Sequence, residues 1–302
     1  MFGPGRLLPF VLLIAAAVIY GGLFSLNKIA AEGGLPPIAY AFWQSALAGL
    51  ILLGVSVLRG TPPGSGWPHL RAYLVIGALA IGLPISLLTY VAPNLPAALV
   101  TLVLALAPPA TYLFGLLVRI ERFRVLGMLG VVAGFVGVVL IVGPTEALPS
   151  GEMAGWFLLS LLAPLMFAGS NIAAAVLRPP ALTSTAMASG VLLGSAGILL
   201  VAMAATGQTY WFADFPTAGD WAVIGAVAVN CAFVVMFLEI IRLAGPVFFA
   251  QFNYLAVVAG IGWGWAVFGE TLPGIVWLAF LIMVVGVLLT SIKPRPTSPA
   301  QR

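Results

Sequence analysis

The chain is built from apolar stretches about as long as a membrane-spanning helix, separated by short polar gaps. A helix of about 20 apolar residues crosses the hydrocarbon core of a bilayer, which is about 30 Å thick. Only 7% of the residues are charged and 62% are hydrophobic, whereas an ordinary soluble domain has about 25% charged residues. Because lipid cannot hydrogen-bond to exposed peptide groups, runs of this length must fold as helices. The sequence therefore predicts an all-α polytopic membrane protein.

Ten such spans can be drawn along the chain. They cover residues 7–30, 37–58, 70–91, 95–118 and 125–142, and then 154–177, 185–205, 221–241, 247–268 and 274–292. Most of the gaps contain Pro, Gly or Asp, which end helices readily.

Positive charges fall in alternate gaps. Of the twelve Lys and Arg residues, all but Lys28 lie in one set of gaps or at the two termini. The other set of gaps holds acidic residues instead, namely Glu32, Glu146, Glu152, Asp214, Asp220 and Glu270. Cytoplasmic loops of membrane proteins are enriched in Lys and Arg. The alternation predicts a multi-pass membrane protein with both termini in the cytoplasm.

The two halves of the chain share a sequence pattern. Aligning Glu121 with Glu270, 149 residues later, also aligns Gly115 with Gly264 and Gly137 with Gly286. Each half then contains five helices, and an odd number requires the second half to enter the bilayer in the opposite direction. We expect two inverted five-helix repeats, residues 1–146 and 147–292, followed by a disordered cytoplasmic tail, residues 293–302. Inverted repeats of this kind are typical of secondary transporters.

No catalytic residues, metal ligands or cofactor-binding motif can be recognised. The only His, His69, and the only Cys, Cys231, do not form a cluster with other ligating residues. The net charge of +4 reflects cations at helix ends, so it does not indicate nucleic-acid binding. The expected partners are a small-molecule substrate and the lipid bilayer, in a monomer or a homodimer. An enzyme is not expected.

Polar and aromatic residues within the spans are the candidate substrate-binding residues. Tyr20, Phe24 and Asn27 lie on one face of the first helix, beside the pair Gly21-Gly22. Matching positions of the second half offer Phe167 and Asn171. The remaining candidates are Lys28, Tyr90, Thr101, Pro108, Asn230, Gln251, Tyr254 and Trp263. Each of these residues could instead serve helix packing, because polar side chains often hydrogen-bond between membrane helices.

Three charged residues lie near the ends of the predicted spans. Lys28 could be an interfacial cation beside Glu32 or a contact for a substrate carboxylate at the exit. Glu121 and Glu270 precede the last helix of each half, where a carboxylate is favourable at a helix N-terminus. We expect a structural role for them first.

No carboxylate lies mid-span, so the sequence favours a facilitator, or a carrier without evident proton coupling, for neutral or zwitterionic substrates.

Three segments resemble the EamA-type exporters of the drug/metabolite transporter superfamily: YGGLFSLNKIA in helix 1, PNLPAALVTLVLALAPPATYLFGLLVRIERF across helix 4, and FGETL after helix 9. The stretch Trp43-Gln44 replaces an Arg that is common in helix 2 of the family. In size and aromatic content the chain is most similar to aromatic amino acid exporters. The resemblance implies a bacterial inner-membrane protein that exports small metabolites, chiefly amino acids, by alternating access. Other metabolites, nucleotide-linked compounds and a non-transporting scaffold are the alternatives.

Overall fold

A computed structural model describes residues 4–142, 151–179, 182–212, 215–249 and 252–291 of the chain. Within these ranges every regular element is helical, and thirteen of the elements are α-helices. Their bounds are α1 Pro4–Glu32, α2 Pro37–Leu58, α3 Trp67–Gly77, α4 Leu83–Val91, α5 Ala97–Leu102, α6 Ala107–Leu117, α7 Val125–Val142, α8 Gly151–Ser160, α9 Leu162–Leu177, α10 Ser184–Thr206, α11 Ala218–Phe249, α12 Phe252–Phe268 and α13 Gly274–Ser291.

Seven helical segments of the described chain are long and apolar enough to cross a membrane. They are Leu8–Glu32, Pro37–Leu58, Trp67–Asn94, Ala97–Leu117, Gly151–Leu177, Ser184–Thr206 and Ala218–Ile240. Three further apolar helical segments are shorter, namely Val125–Leu140, Leu255–Phe268 and Gly274–Gly286. The predicted class, an all-helical membrane protein, is confirmed, while the count of ten spans stays a prediction.

Three of the predicted spans are interrupted close to a proline. A π-helical turn, Ala78–Gly82, separates α3 from α4 just before Pro84. A 3₁₀ turn, Val103–Leu106, separates α5 from α6 just before Pro108. Helices α8 and α9 meet at Leu161, just before Pro164. Proline has no N–H for the helical ladder, and its ring crowds the preceding turn, so the chain changes its hydrogen-bonding pattern there.

The boundary between the predicted eighth and ninth spans differs from the sequence expectation. Helix α11 continues to Phe249, past the predicted end at residue 241, and α12 begins at Phe252 and not at residue 247. The Gly245-Pro246 step therefore does not end the helix. Prolines are tolerated inside helices of membrane proteins because neighbouring groups can satisfy the freed carbonyls.

The helices pack around one continuous core. Helix α1 packs against α11 and α12, α2 against α10, α6 against α9, and α7 against α13. The approach of α1 to α12 is close: a Cβ atom added at Gly21 would lie 2.7 Å from the backbone nitrogen of Gly260. Small residues allow such contacts between membrane helices. Helix α1 thereby becomes the central element of the fold, and its inner face carries the candidate site.

Candidate functional site

One carboxylate joins three helices at the outer end predicted for α1. Glu270, two residues after α12, accepts a 2.8 Å hydrogen bond from the Lys28 ammonium of α1. Its two oxygens also accept the backbone N–H groups of Ala97 and Ala98, at 2.9 and 3.0 Å. These N–H groups open helix α5, whose partial positive charge favours an anion. We call Lys28, Glu270, Ala97 and Ala98 the outer latch.

The outer latch answers two questions that the sequence left open. The partner of Lys28 is Glu270, 242 residues away, and not the neighbouring Glu32. Glu270 does cap a helix N-terminus, but the helix is α5 and not α13, which follows Glu270 in the chain. The two side chains are only 15% and 11% exposed. The Lys28 ammonium also lies 4.6 Å from the centre of the Phe268 ring.

The repeated glycines leave room for the repeated carboxylates. A Cβ added at Gly264 would lie 2.8 Å from a Glu270 oxygen, and one added at Gly115 would lie 2.9 Å from Cγ of Glu121. In both halves the glutamate N–H bonds back to the glycine carbonyl, at 3.3 and 3.0 Å. Glu121 also lies 3.7 Å from the guanidinium of Arg124. The sequence repeat thus corresponds to one loop geometry used twice.

Five aromatic rings from three helices form a closed cluster inside the protein. The rings belong to Tyr20 of α1, Phe233, Phe237 and Phe249 of α11, and Phe252 of α12. Neighbouring centroids lie between 4.2 Å, for Tyr20 and Phe233, and 6.1 Å, for Phe233 and Phe237. Phe24 stands edge-on to Tyr20 at 5.8 Å. We call Tyr20, Phe233, Phe237, Phe249 and Phe252 the aromatic cluster.

The predicted face of α1 points into the protein. Tyr20, Phe24 and Asn27 are all buried, and Asn27 is only 1% exposed. A pair of buried amides joins α11 to α2, where Asn230 donates a 2.7 Å hydrogen bond to Gln44. The structure therefore places Phe24 against Tyr20, which is a member of the aromatic cluster. It also places Asn27 and Asn230 among buried polar groups.

Three other predicted site residues lie on α4, α5 and α6. Thr101 is buried and donates to the carbonyl of Ala97 within its own helix. Pro108 lies in the first turn of α6 and is partly buried. Tyr90 is 54% exposed and packs edge-on against Trp156 of α8. None of these three residues is a member of the aromatic cluster.

The predicted residues of the sixth span lie beside α6. Asn171 of α9 is exposed and donates a 3.1 Å hydrogen bond to the Thr111 hydroxyl of α6. Phe167 is partly buried one turn earlier. Trp263 of α12 is 41% exposed and donates its indole N–H to the carbonyl of Val18, at 2.9 Å. It therefore fastens α12 to α1.

Two predicted residues cannot be placed: Gln251 and the side chain of Tyr254 lie outside the described part of the chain. The sequence analysis did not select Gln44, Glu270 or the three phenylalanines Phe237, Phe249 and Phe252 as site residues. An amide in the middle of an apolar helix was a signal for Gln44, whereas phenylalanine is too common in membrane spans to stand out. In the described ranges, no group of three or more His, Cys, Asp and Glu side chains could hold a metal ion.

The first half of the chain matches a known family. Residues 7–143 match the EamA-like transporter family. This range begins in α1 and includes α2–α7, so it holds the Lys28 side of the outer latch and the Glu121 loop.

A relative and a solved structure extend the likeness to the whole chain. The "Uncharacterized inner membrane transporter YedA" of Escherichia coli strain K12 is 26% identical over 296 residues, which cover 95% of this chain and 92% of that protein. The protein of the same name from Escherichia coli O157:H7 matches equally. A crystal structure with 17% sequence identity shares the fold, with a TM-score of 0.61 over 93% of this chain and 94% of the other. The first half of the chain is thus similar to the EamA-like transporter family, and nearly the whole chain is similar to an inner membrane transporter of Escherichia coli.

Proposed function

We propose that this protein is an EamA-type inner-membrane transporter of the drug/metabolite transporter superfamily and that it exports amino acids with aromatic or other apolar side chains from the cytoplasm. Export would proceed by alternating access between two inverted five-helix repeats, residues 1–146 and 147–292. Both termini would lie in the cytoplasm. A fusion of fluorescent protein or alkaline phosphatase to the C-terminus tests this orientation, because the first is fluorescent only inside the cell and the second is active only outside. Phosphatase activity would contradict it.

The aromatic cluster carries the proposal for the substrate class. Its rings lie beside the inner face of α1, on which Tyr20 and Phe24 are followed by the buried amide of Asn27. Aromatic rings stack on flat apolar groups with about 0.5–1.5 kcal/mol per favourable pair. A neutral amide can hydrogen-bond to the ammonium or the carboxylate of a zwitterion. The combination suits an amino acid with an apolar side chain.

The helix packing supports the inverted repeats. Exchanging the halves maps α1 onto α8 and α9, α2 onto α10, α3 and α4 onto α11, α5 and α6 onto α12, and α7 onto α13. Under this exchange the pairs α2–α10 and α7–α13 map onto themselves. The pair α1–α12 maps onto α9–α6, and α1–α11 maps onto α9 with α3 and α4, all of which are in contact. A two-fold related pair of repeats accounts for this pattern.

The outer latch supports a gated exit. It joins α1 and α5 of the first half to the end of α12 in the second half. A substrate leaving between the halves requires these contacts to separate. The latch is built from one ion pair and two backbone hydrogen bonds, which can break and re-form without unfolding a helix.

Counterflow in proteoliposomes tests the substrate class. Vesicles that contain the purified protein and are preloaded with unlabelled phenylalanine should accumulate radiolabelled phenylalanine and tryptophan. Phe252→Ala removes a ring of the aromatic cluster and should raise KM for phenylalanine by about fivefold, since one well-packed ring contact contributes about 1 kcal/mol. The control is Phe135→Ala, which removes an exposed ring of α7 and should leave KM unchanged.

Three outcomes would contradict the proposal. Flux of nucleotide-linked or other metabolites without flux of amino acids would assign another cargo. Absence of flux for every tested solute would indicate a non-transporting scaffold. Equal effects of the two Phe→Ala substitutions on KM would remove the aromatic cluster from the site.

A further inference from the structure

Five uncharged polar side chains are buried in the helices α1, α2, α4 and α11. They are Asn27 of α1, Tyr40 and Gln44 of α2, Thr89 of α4 and Asn230 of α11, and each is at most 3% exposed. We call these residues the polar layer. Uncharged polar groups are uncommon in the core of a membrane protein unless they pair or serve a substrate pathway.

The four helices form a closed ring. Helix α1 contacts α4 and α11, and α2 contacts the same two helices. Their outer ends also meet, because a Cβ added at Gly33 after α1 would lie 3.3 Å from the nitrogen of Gly219 in α11, and α2 follows α1 after a short turn. The turn after α4 also contacts α1. At 1.5 Å per residue, the four members with unpaired atoms, Asn27, Tyr40, Gln44 and Thr89, lie roughly 3–11 Å below these helix ends.

Most polar atoms of the layer have no partner within the described chain. Asn230 donates to Gln44 and to its own helix, at Ala226. Among the described residues, however, both amide atoms of Asn27, Nε2 of Gln44 and the hydroxyl groups of Tyr40 and Thr89 are buried without a hydrogen-bond partner. A buried polar group without a partner is costly, so such groups persist where a ligand or water pairs with them.

Two largely buried charged residues near the layer are already paired. Lys28, the next residue after Asn27, is bound to Glu270 in the outer latch. Asp220, at the start of α11, accepts hydrogen bonds from the Tyr210 hydroxyl and from Thr217. The unpaired atoms thus include donors and acceptors but no net charge. A ligand that carries both signs, or none, matches such a layer better than an ion does.

From this arrangement we infer that the polar layer binds the zwitterionic headgroup of the substrate. The carboxylate accepts hydrogen bonds from Asn27 Nδ2, Gln44 Nε2 and the Tyr40 hydroxyl, and the ammonium donates to Asn27 Oδ1 and the Thr89 hydroxyl. The substrate side chain then extends along α1 toward Phe24, Tyr20 and the aromatic cluster. The assignment rests on the proposed amino acid export and specifies how the same site recognises the group shared by all amino acids.

Binding to the purified full chain in detergent tests this inference. The probes are phenylalanine, phenethylamine, which lacks the carboxylate, and 3-phenylpropionate, which lacks the ammonium. Each probe is titrated while ligand-dependent thermal stabilisation is measured. Phenylalanine should bind at least about tenfold more tightly than either analogue, because a site built for hydrogen bonds rejects ligands that leave its groups unpaired.

Substitutions separate a binding role from a structural one. Asn27→Leu and Gln44→Met keep the side-chain volume and remove the unpaired groups, so phenylalanine affinity should fall at least about tenfold. Asn27→Leu should leave the melting temperature of the ligand-free protein unchanged or raise it, since it removes a buried group that lacks a partner. Ser45→Ala is the matched control: Ser45 is equally buried in α2 but bonds to its own helix at Ala41, and its removal should change affinity less than about twofold.

The possible failures can be told apart. If the wild-type protein binds phenylalanine and the Asn27 and Gln44 variants bind it equally well, the layer holds only water and this inference is wrong, while the proposed function stands. If phenethylamine or 3-phenylpropionate binds as tightly as phenylalanine, headgroup recognition is likewise excluded. If the wild-type protein binds none of the three probes, both the inference and the proposed substrate class are wrong.

Discussion

At the end of α12, a single carboxylate holds three separate parts of the chain. Glu270 neutralises Lys28 and satisfies two of the N–H groups that every helix N-terminus leaves open. The sequence predicted part of this arrangement, since it offered Lys28 as a paired cation and Glu270 as a helix cap. It could not identify the partners. Both expectations were based on neighbours in sequence, whereas the contacts are made across the fold.

A double-mutant cycle measures the coupling in the outer latch. Lys28→Met leaves Glu270 with only its hydrogen bonds from two backbone N–H groups, and Glu270→Gln leaves Lys28 without its counter-charge. Each single substitution should lower the free energy of unfolding by about 2 kcal/mol or more, because both side chains are largely buried. The double substitution should cost less than the sum of the two, by about 1 kcal/mol or more. The measurement is chemical denaturation in detergent, and strict additivity would show that the ion pair contributes nothing to the latch.

Helices were predicted better than their ends and their contacts. Long apolar runs define the helices, and the prolines Pro84, Pro108 and Pro164 mark the places where three of them change geometry. The same rule failed at Pro246, because α11 continues through it. A proline favours a break, but tertiary packing decides whether the helix continues.

The contact between α1 and α12 gives a prediction for a whole element. Gly21→Leu places a side chain where Gly260 of α12 already lies, so it should separate the two helices and lower the melting temperature by several degrees. Gly262→Leu is the control in α12, because a Cβ added there meets no other atom within 4 Å. Thermal unfolding in the same detergent compares the two variants. Equal melting temperatures would show that the close contact does not hold α1 in place.

For the whole molecule, the sequence analysis predicted the inner face of α1 but not its surroundings. Helical periodicity was sufficient to group Tyr20, Phe24 and Asn27. It could not predict that Thr101 and Trp263 would be used in packing, or that Phe237, Phe249 and Phe252 would complete a cluster with Tyr20. Such contacts depend on how the two halves dock, which no local pattern records. Transport by alternating access requires the two halves to move relative to each other.

Cross-linking the outer latch tests whether the two halves must separate during transport. A Cβ at Gly264 would lie 3.4 Å from the Cβ of Ala98, close to the separation of about 3.5–4.5 Å that a disulfide requires. In a Cys231→Ala background, the pair Ala98→Cys and Gly264→Cys would join α5 of the first half to α12 of the second. The single-cysteine variants, treated with the same oxidant, control for effects of the substitutions themselves.

Phenylalanine counterflow is then measured before oxidation, after oxidation and after reduction. Alternating access predicts that oxidation abolishes counterflow by the double-cysteine protein and that reduction restores it. Oxidation should leave the counterflow of each single-cysteine protein at the rate of its own reduced form, which takes account of the displacement of Glu270 by a side chain at Gly264. A fully cross-linked protein that transports phenylalanine at the rate of its reduced form would contradict the account, because substrate would then cross without separation of the two halves at the outer latch.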